Sequence, residues 1–124
     1  MPFIHAEDAV THEIHGVRFV SYVRTDTGAR DLAAWRGEVP AGATGPAHVI
    51  SHEEAFYVLS GRLRLTIDGE TAELTTGDAA LAPPGSALSV ANPTDHPAHM
   101  WVTTRLGLTA ELPDGTTLTP PWAR

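Results

Sequence analysis

Along this chain, short runs of alternating apolar and polar residues are separated by turn residues about every ten positions, the spacing of a β-sandwich or barrel. Val17 to Val23 reads Val-Arg-Phe-Val-Ser-Tyr-Val, rich in the β-branched and aromatic residues that suit a pleated, half-buried surface. Leu32 to Val39 predicts a second strand, closed by Pro40-Ala41-Gly42, and Phe56 to Leu59 a third. In Leu63 to Ile67 the alternation puts Leu63, Leu65 and Ile67 on one face and Arg64 and Thr66 on the other. Asp68-Gly69 predicts a tight hairpin, because Gly tolerates the positive φ that such a turn needs, and Glu70 to Leu74 returns from it. Ala79 to Ala82, Leu88 to Ala91 and His99 to Thr104 complete the strands, set off by Thr76-Gly77-Asp78, Pro83-Pro84-Gly85 and the connection Asn92 to Pro97. Ala29 to Trp35 is the nearest approach to a helical stripe and reads better as the approach to a strand. Eight to ten short strands with almost no helix predict an antiparallel sandwich or barrel.

Composition narrows the chemistry. The chain has 124 residues, a single domain's length, and a 42% hydrophobic share suffices for a packed core. It has no Cys, which removes disulfides, thiolate metal sites and a Cys nucleophile together. All 8 cationic side chains are Arg, so there is no Lys to form a Schiff base. A formal charge of −7 argues against a nucleic-acid footprint. No apolar run approaches the ~20 residues that span a bilayer, and the residues from Met1 to Ala9 carry acids rather than a basic-then-apolar signal, which predicts a cytoplasmic protein without a membrane partner.

Two segments carry specific spacing. The first runs from Pro46 through His48, Ile50, His52, Glu53, Glu54, Phe56 and Tyr57 to Gly61, with Glu54 seven residues before Gly61. The second runs from Gly77-Asp78 through Pro83, Pro84, Gly85 and Leu88 to Asn92. In these segments, and from about Asp31 to Thr104, the chain resembles the cupins, whose motifs are Gly-x5-His-x-His-x3,4-Glu-x6-Gly and Gly-x5-Pro-x-Gly-x2-His-x3-Asn. The resemblance implies a double-stranded β-helix, or jelly-roll barrel. The chain then divides into N-terminal strands over 1–30, a candidate part of a dimer interface, a barrel core over 31–108, and a turn and tail packing on the barrel over 109–124.

Cupins usually hold a divalent metal with three His and one Glu. Carried over, His48 and Glu54 take two of these positions, whereas Ile50 and Leu88 occupy the other two with hydrocarbon. A standard site therefore cannot form. A non-standard one would draw on His48, Glu54 and either His52 or His99, and its ion would be iron, manganese, zinc, nickel or copper. If Leu88 to Ala91 and Ala98 to Val102 pair as a hairpin, Val90 faces His99 and Leu88 faces Trp101. The other reading needs no cofactor: an apolar pocket lined by Ile50, Phe56, Leu88, Val90, His99 and Trp101, with His48, Glu54 and His52 as its few polar groups. There a His beside a carboxylate acts as an acid–base pair, or else forms an inert hydrogen bond.

The remaining features have structural readings. His5, His12 and His15 fall in the N-terminal stretch, and His96 reads as a turn residue. Trp35, Trp101 and Trp122 read as core or tail packing, Trp101 having the best claim on the pocket. Parity turns Glu53 away from the interior, and leaves Ala55, Tyr57 and Leu59 as an outward row too apolar for a solvated sheet, as a homodimer interface would require. Three functions follow: a metal-independent isomerase, epimerase or cyclase acting on a small carbonyl compound; a metal-dependent oxygenase or polyketide-cyclase-like enzyme with a non-standard site; and a non-catalytic ligand-binding or sensor module.

Overall fold

The computed structural model describes residues 2–124. Twelve strands form two antiparallel sheets: β1 (Val10–Ile14), β2 (Val17–Val23), β3 (Leu32–Val39), β4 (His48–Ile50), β5 (Glu54–Ser60), β6 (Arg62–Ile67), β7 (Glu70–Thr75), β8 (Ala79–Ala82), β9 (Ala87–Ala91), β10 (Ala98–Arg105), β11 (Ala110–Glu111) and β12 (Thr117–Leu118). The first sheet has the order β1-β2-β3-β10-β5-β8, the second β12-β11-β4-β9-β6-β7. This is the antiparallel all-β sandwich that the alternation predicted, in the jelly-roll form that the resemblance implied. The only helices among the described residues are single 3₁₀ turns, and none is long and apolar enough to cross a membrane.

The two inner faces make the core, because along each strand successive side chains point to opposite sides. On β5, Glu54, Phe56 and Val58 are buried while Ala55, Tyr57 and Leu59 are exposed. On β6, Leu63 and Leu65 are buried between the exposed Arg62 and Arg64. Trp35, Ile50, Leu88 and Val102 close the centre, and full burial of each such aliphatic side chain contributes roughly 1.5–3 kcal/mol. At the far end of the first sheet Trp122 stacks on Phe19 with ring centroids 3.8 Å apart, so the C-terminal tail covers the inner face of β2.

Turn chemistry fixes the register. Asp68 and Gly69 both have positive φ (50° and 83°), the twist of a two-residue hairpin, and they place Ile67 opposite Glu70. Gly61 sits between β5 and β6 at φ +79°, where a Cβ would lie 2.8 Å from the Pro97 carbonyl oxygen; no other residue fits without moving the backbone.

One expected pairing does not form. β9 pairs with β4 and β6 in the second sheet, whereas β10 pairs with β3 and β5 in the first. The connection Asn92 to Pro97 is therefore a crossing between sheets and not a hairpin, and neither Val90 with His99 nor Leu88 with Trp101 is a cross-strand pair.

Candidate functional site

The interior is built from two rows of cross-strand partners, which share a face in an antiparallel sheet. On the second sheet the row runs His48–Leu88–Ile67–Glu70, from β4 through β9 and β6 to β7. On the first sheet Glu54 stands opposite Ala82, and Phe56 between Ala80 and Val102. His48, Glu54, Ile50, Phe56, Leu88 and Val90 thus all belong to the inner faces.

Several backbone bonds hold this region. The Ile50 N–H donates to the Ser86 carbonyl at 3.1 Å and the Ile50 carbonyl accepts from Gly85 N–H at 2.7 Å, which fixes β4 beside the Pro83-Pro84-Gly85 turn. Thr104 Oγ1 donates to the Glu53 carbonyl at 2.6 Å, just before the chain enters β5.

Glu54 is only 4% exposed, and its Oε1 has no hydrogen-bond partner. Withdrawal from water disfavours the charged carboxylate, so burial pushes its pKa up from 4.5 to about 7. His48 is half-buried, with Nδ1 3.3 Å from the Pro46 carbonyl oxygen. A carbonyl can only accept, so Nδ1–H donates and the neutral ring keeps its lone pair on Nε2. His48 and Glu54 share the interior without a hydrogen bond to one another among the described residues. His52 lies in the turn between β4 and β5, its Nδ1 2.8 Å from Ser51 Oγ. That hydroxyl also accepts from Thr109 N–H at 2.7 Å.

His99 and Trp101 fall elsewhere. On β10 the buried positions are Ala98, Met100, Val102 and Thr104. His99 and Trp101 alternate with them and face the outer side of the first sheet. His99 Nδ1 is 2.9 Å from Ser60 Oγ, and its Nε2 is 3.9 Å from Glu38 Oε1. Trp101 packs against Tyr22 and stands opposite Tyr57. Neither lines the interior, because the crossing after Asn92 sets the parity of β10 from β3 and β5 and not from β9.

The donors do not fit the metal centre usual in this fold. His48 and Glu54 offer two ligands, Ile50 and Leu88 offer hydrocarbon, and among the described residues no group of three or more His, Cys, Asp or Glu is placed to hold a metal ion. The interior does hold a buried carboxyl, an imidazole with a free Nε2 and an apolar wall, groups able to move a proton on a molecule that reaches them.

One feature escaped sequence reasoning. A cleft of about 240 Å³ opens between β7 and β8, the free edges of the two sheets, and is lined by Leu65, Ile67, Glu70, Ala72, Leu74 and Ala80 together with Ala79 and Leu81. The Ala-Ala-Leu-Ala run of β8 and Ala72 on β7 are its only sequence signal.

No curated protein matches the chain in sequence. Among solved structures it is similar to the polyketide cyclase RemF from Streptomyces resistomycificus, with a TM-score of 0.75 at 21% identity over 85% of this chain and 79% of that one. It is also similar to an RmlC-like cupin from Shewanella frigidimarina, with a TM-score of 0.73 at 24% identity over 83% and 88% of the two chains. KdgF from Halomonas sp. superposes with a TM-score of 0.69 at 20% identity over 82% and 91%. At these identities the likeness is one of fold. In sequence, residues 35–104 match the family described as Cupin domain, a span that holds both ligand-motif segments, and the chain belongs to that family.

Proposed function

We propose that this cupin binds a small carbonyl compound in its barrel and catalyses metal-independent proton transfer on it, as an isomerase, epimerase or cyclase does. The observation that carries this reading is Glu54: a buried carboxyl with an unpartnered oxygen and a pKa of about 7. A general acid–base group works best when its pKa lies near the ambient pH, since both forms are then populated. As carboxylate, Glu54 takes a proton from the carbon beside the substrate carbonyl. As carboxylic acid, it returns that proton at another position or from another face. His48, with Nε2 free, is the second proton carrier, and His52 positions the turn that leads into β5. Phe56, the cross-strand neighbour of Ala80, keeps water from the carbanion.

We also propose that the chain is a homodimer through the outer face of the first sheet, where Tyr57, Leu59 and Leu81 remain exposed in the single chain.

The test is α-proton exchange of a ketone in D2O, followed by NMR. Exchange above the buffer rate is expected with the wild-type chain. Glu54→Gln should lower it by roughly 10²–10⁴-fold, the usual contribution of a positioned acid–base group. A ketone that binds without exchanging would instead identify a non-catalytic binding or sensor module.

A further inference from the structure

The cleft between β7 and β8 has a definite chemistry. Its lining side chains are aliphatic apart from Glu70, which is exposed at the mouth, and the unpaired edge backbone of β7 and β8 adds polar surface between them. None of the eight arginines lines it. The strand arginines lie on outer faces: Arg18 and Arg36 pair with Glu38, Arg64 pairs with Glu73, and Arg62 and Arg105 are exposed. With no Lys in the chain, the inner faces hold no fixed cation to offset a carboxylate or phosphate. An anionic ligand would meet Glu70 and no cationic side chain, and would lose hydration without a charge to offset it.

Size and direction narrow the ligand further. A dry apolar cavity of about 150 Å³ takes benzene, and drug-sized sites start near 300 Å³. At about 240 Å³ the cleft fits one or two fused rings. Inward along β8, the wall residue Ala80 is followed on the same face by Ala82, the cross-strand partner of Glu54, a step of about 7 Å. Glu54, with its unpartnered oxygen, is thus the cross-strand neighbour of the next inward residue behind that wall.

We propose that the β7–β8 cleft is the seat of the substrate, and that the substrate is an uncharged, largely apolar mono- or bicyclic carbonyl compound whose oxygen end points inward toward Glu54. This rests on the proton-transfer reading for the role of Glu54, but the seat itself can be tested separately.

The probe is 1-tetralone, compared with 1-naphthoate and glucose 6-phosphate, with binding followed through the methyl NMR signals of Leu65, Ile67 and Leu74. 1-Tetralone should shift these signals, and the two anions should not. Ala72→Trp, an exposed edge position that tolerates a larger side chain, should fill the cleft and weaken 1-tetralone at least about tenfold. Glu70→Lys should raise naphthoate affinity about threefold to fivefold, the scale of a partly exposed ion pair. Shifts confined to other methyls, undiminished binding to the folded Ala72→Trp chain, or naphthoate binding as tight as that of tetralone would each overturn the proposal. Tetralone bound in the cleft but equally slow to exchange with wild type and Glu54→Gln would sink the proton-transfer reading and leave the seat in place.

Discussion

His48 and Leu88 stand directly opposite one another on β4 and β9, cross-strand partners on the inner face of the second sheet. Such partners have Cβ atoms about 4.5–5.5 Å apart. An imidazole at position 88 would therefore stand beside His48, within reach of a shared ion. Ile50, two residues along β4, points to the same interior. Hydrocarbon at these two positions beside His48 leaves the site two ligands short of the usual metal centre.

The double variant Ile50→His, Leu88→His should then bind zinc or nickel with a stoichiometry near one, with His48 and Glu54 supplying the remaining ligands. Isothermal titration beside the wild-type chain checks this. A folded double variant that binds no more tightly than wild type would mean that the four positions do not converge.

Glu54 should make stability depend on pH in a particular window. In the folded chain it keeps its proton to about pH 7, whereas an unburied carboxyl releases it near 4.5. Its contribution is fully present below pH 4.5 and is lost as the pH rises through 7. The whole window corresponds to about 3 kcal/mol. Glu54→Gln stays neutral throughout, so it should overtake wild type between pH 5 and pH 8 by up to that amount. Urea midpoints at the two pH values measure the crossing, and a pH-independent difference between the chains would contradict it.

Parity is what the sequence carried most plainly. The bounds of β2, β3 and β8 coincide with runs visible in the residues, and Glu54, Phe56 and Val58 face inward because a period of two leaves no other choice once one of them is buried. Parity says which face a residue shares, but not which strand lies beside it. The six residues Asn92 to Pro97 are as short as a hairpin loop, and nothing local in them encodes a crossing between sheets. His99 and Trp101 were for that reason assigned to the interior, and the chain places them outside. The resemblance sets a His beside a carboxylate, whereas His48 and Glu54 face one interior from different sheets, a separation that spacing along the chain does not contain. The strands β4, β11 and β12 are too short for alternation to register at all.

The outer row on β5 leads to a prediction about assembly. Tyr57 is 47% exposed, with Trp101 and Ala79 as its cross-strand neighbours, and the adjacent Leu81 is 58% exposed. A charge placed here would be desolvated in a dimer and harmless in a monomer. Tyr57→Asp should lower the sedimentation coefficient to that of a single chain and leave the circular dichroism of the sheets unchanged. Sedimentation of the variant as a dimer would rule out this face.

Asn92 holds the crossing that the sequence did not announce. It is fully buried, and its Nδ2 donates to the Val39 carbonyl at 3.2 Å and to the His96 carbonyl at 2.7 Å. Its Oδ1 accepts from Thr94 N–H at 3.0 Å and lies 2.8 Å from the Thr94 hydroxyl. One side chain thus ties the end of β3 to both halves of the connection that carries the chain from β9 into β10. Asn92→Ala would remove the donor to the buried Val39 carbonyl and the acceptor of the Thr94 N–H, while the His96 carbonyl keeps the Thr94 hydroxyl, and should cost about 1–3 kcal/mol, read from the urea midpoint. Asn92→Asp keeps the acceptor facing Thr94 but sets a second oxygen against the two carbonyls, so it should destabilise at least as much although it is nearly the same size. If Asp were tolerated while Ala was not, the donor bonds to Val39 and His96 would be dispensable, and packing volume rather than hydrogen bonding would be what holds the crossing in place.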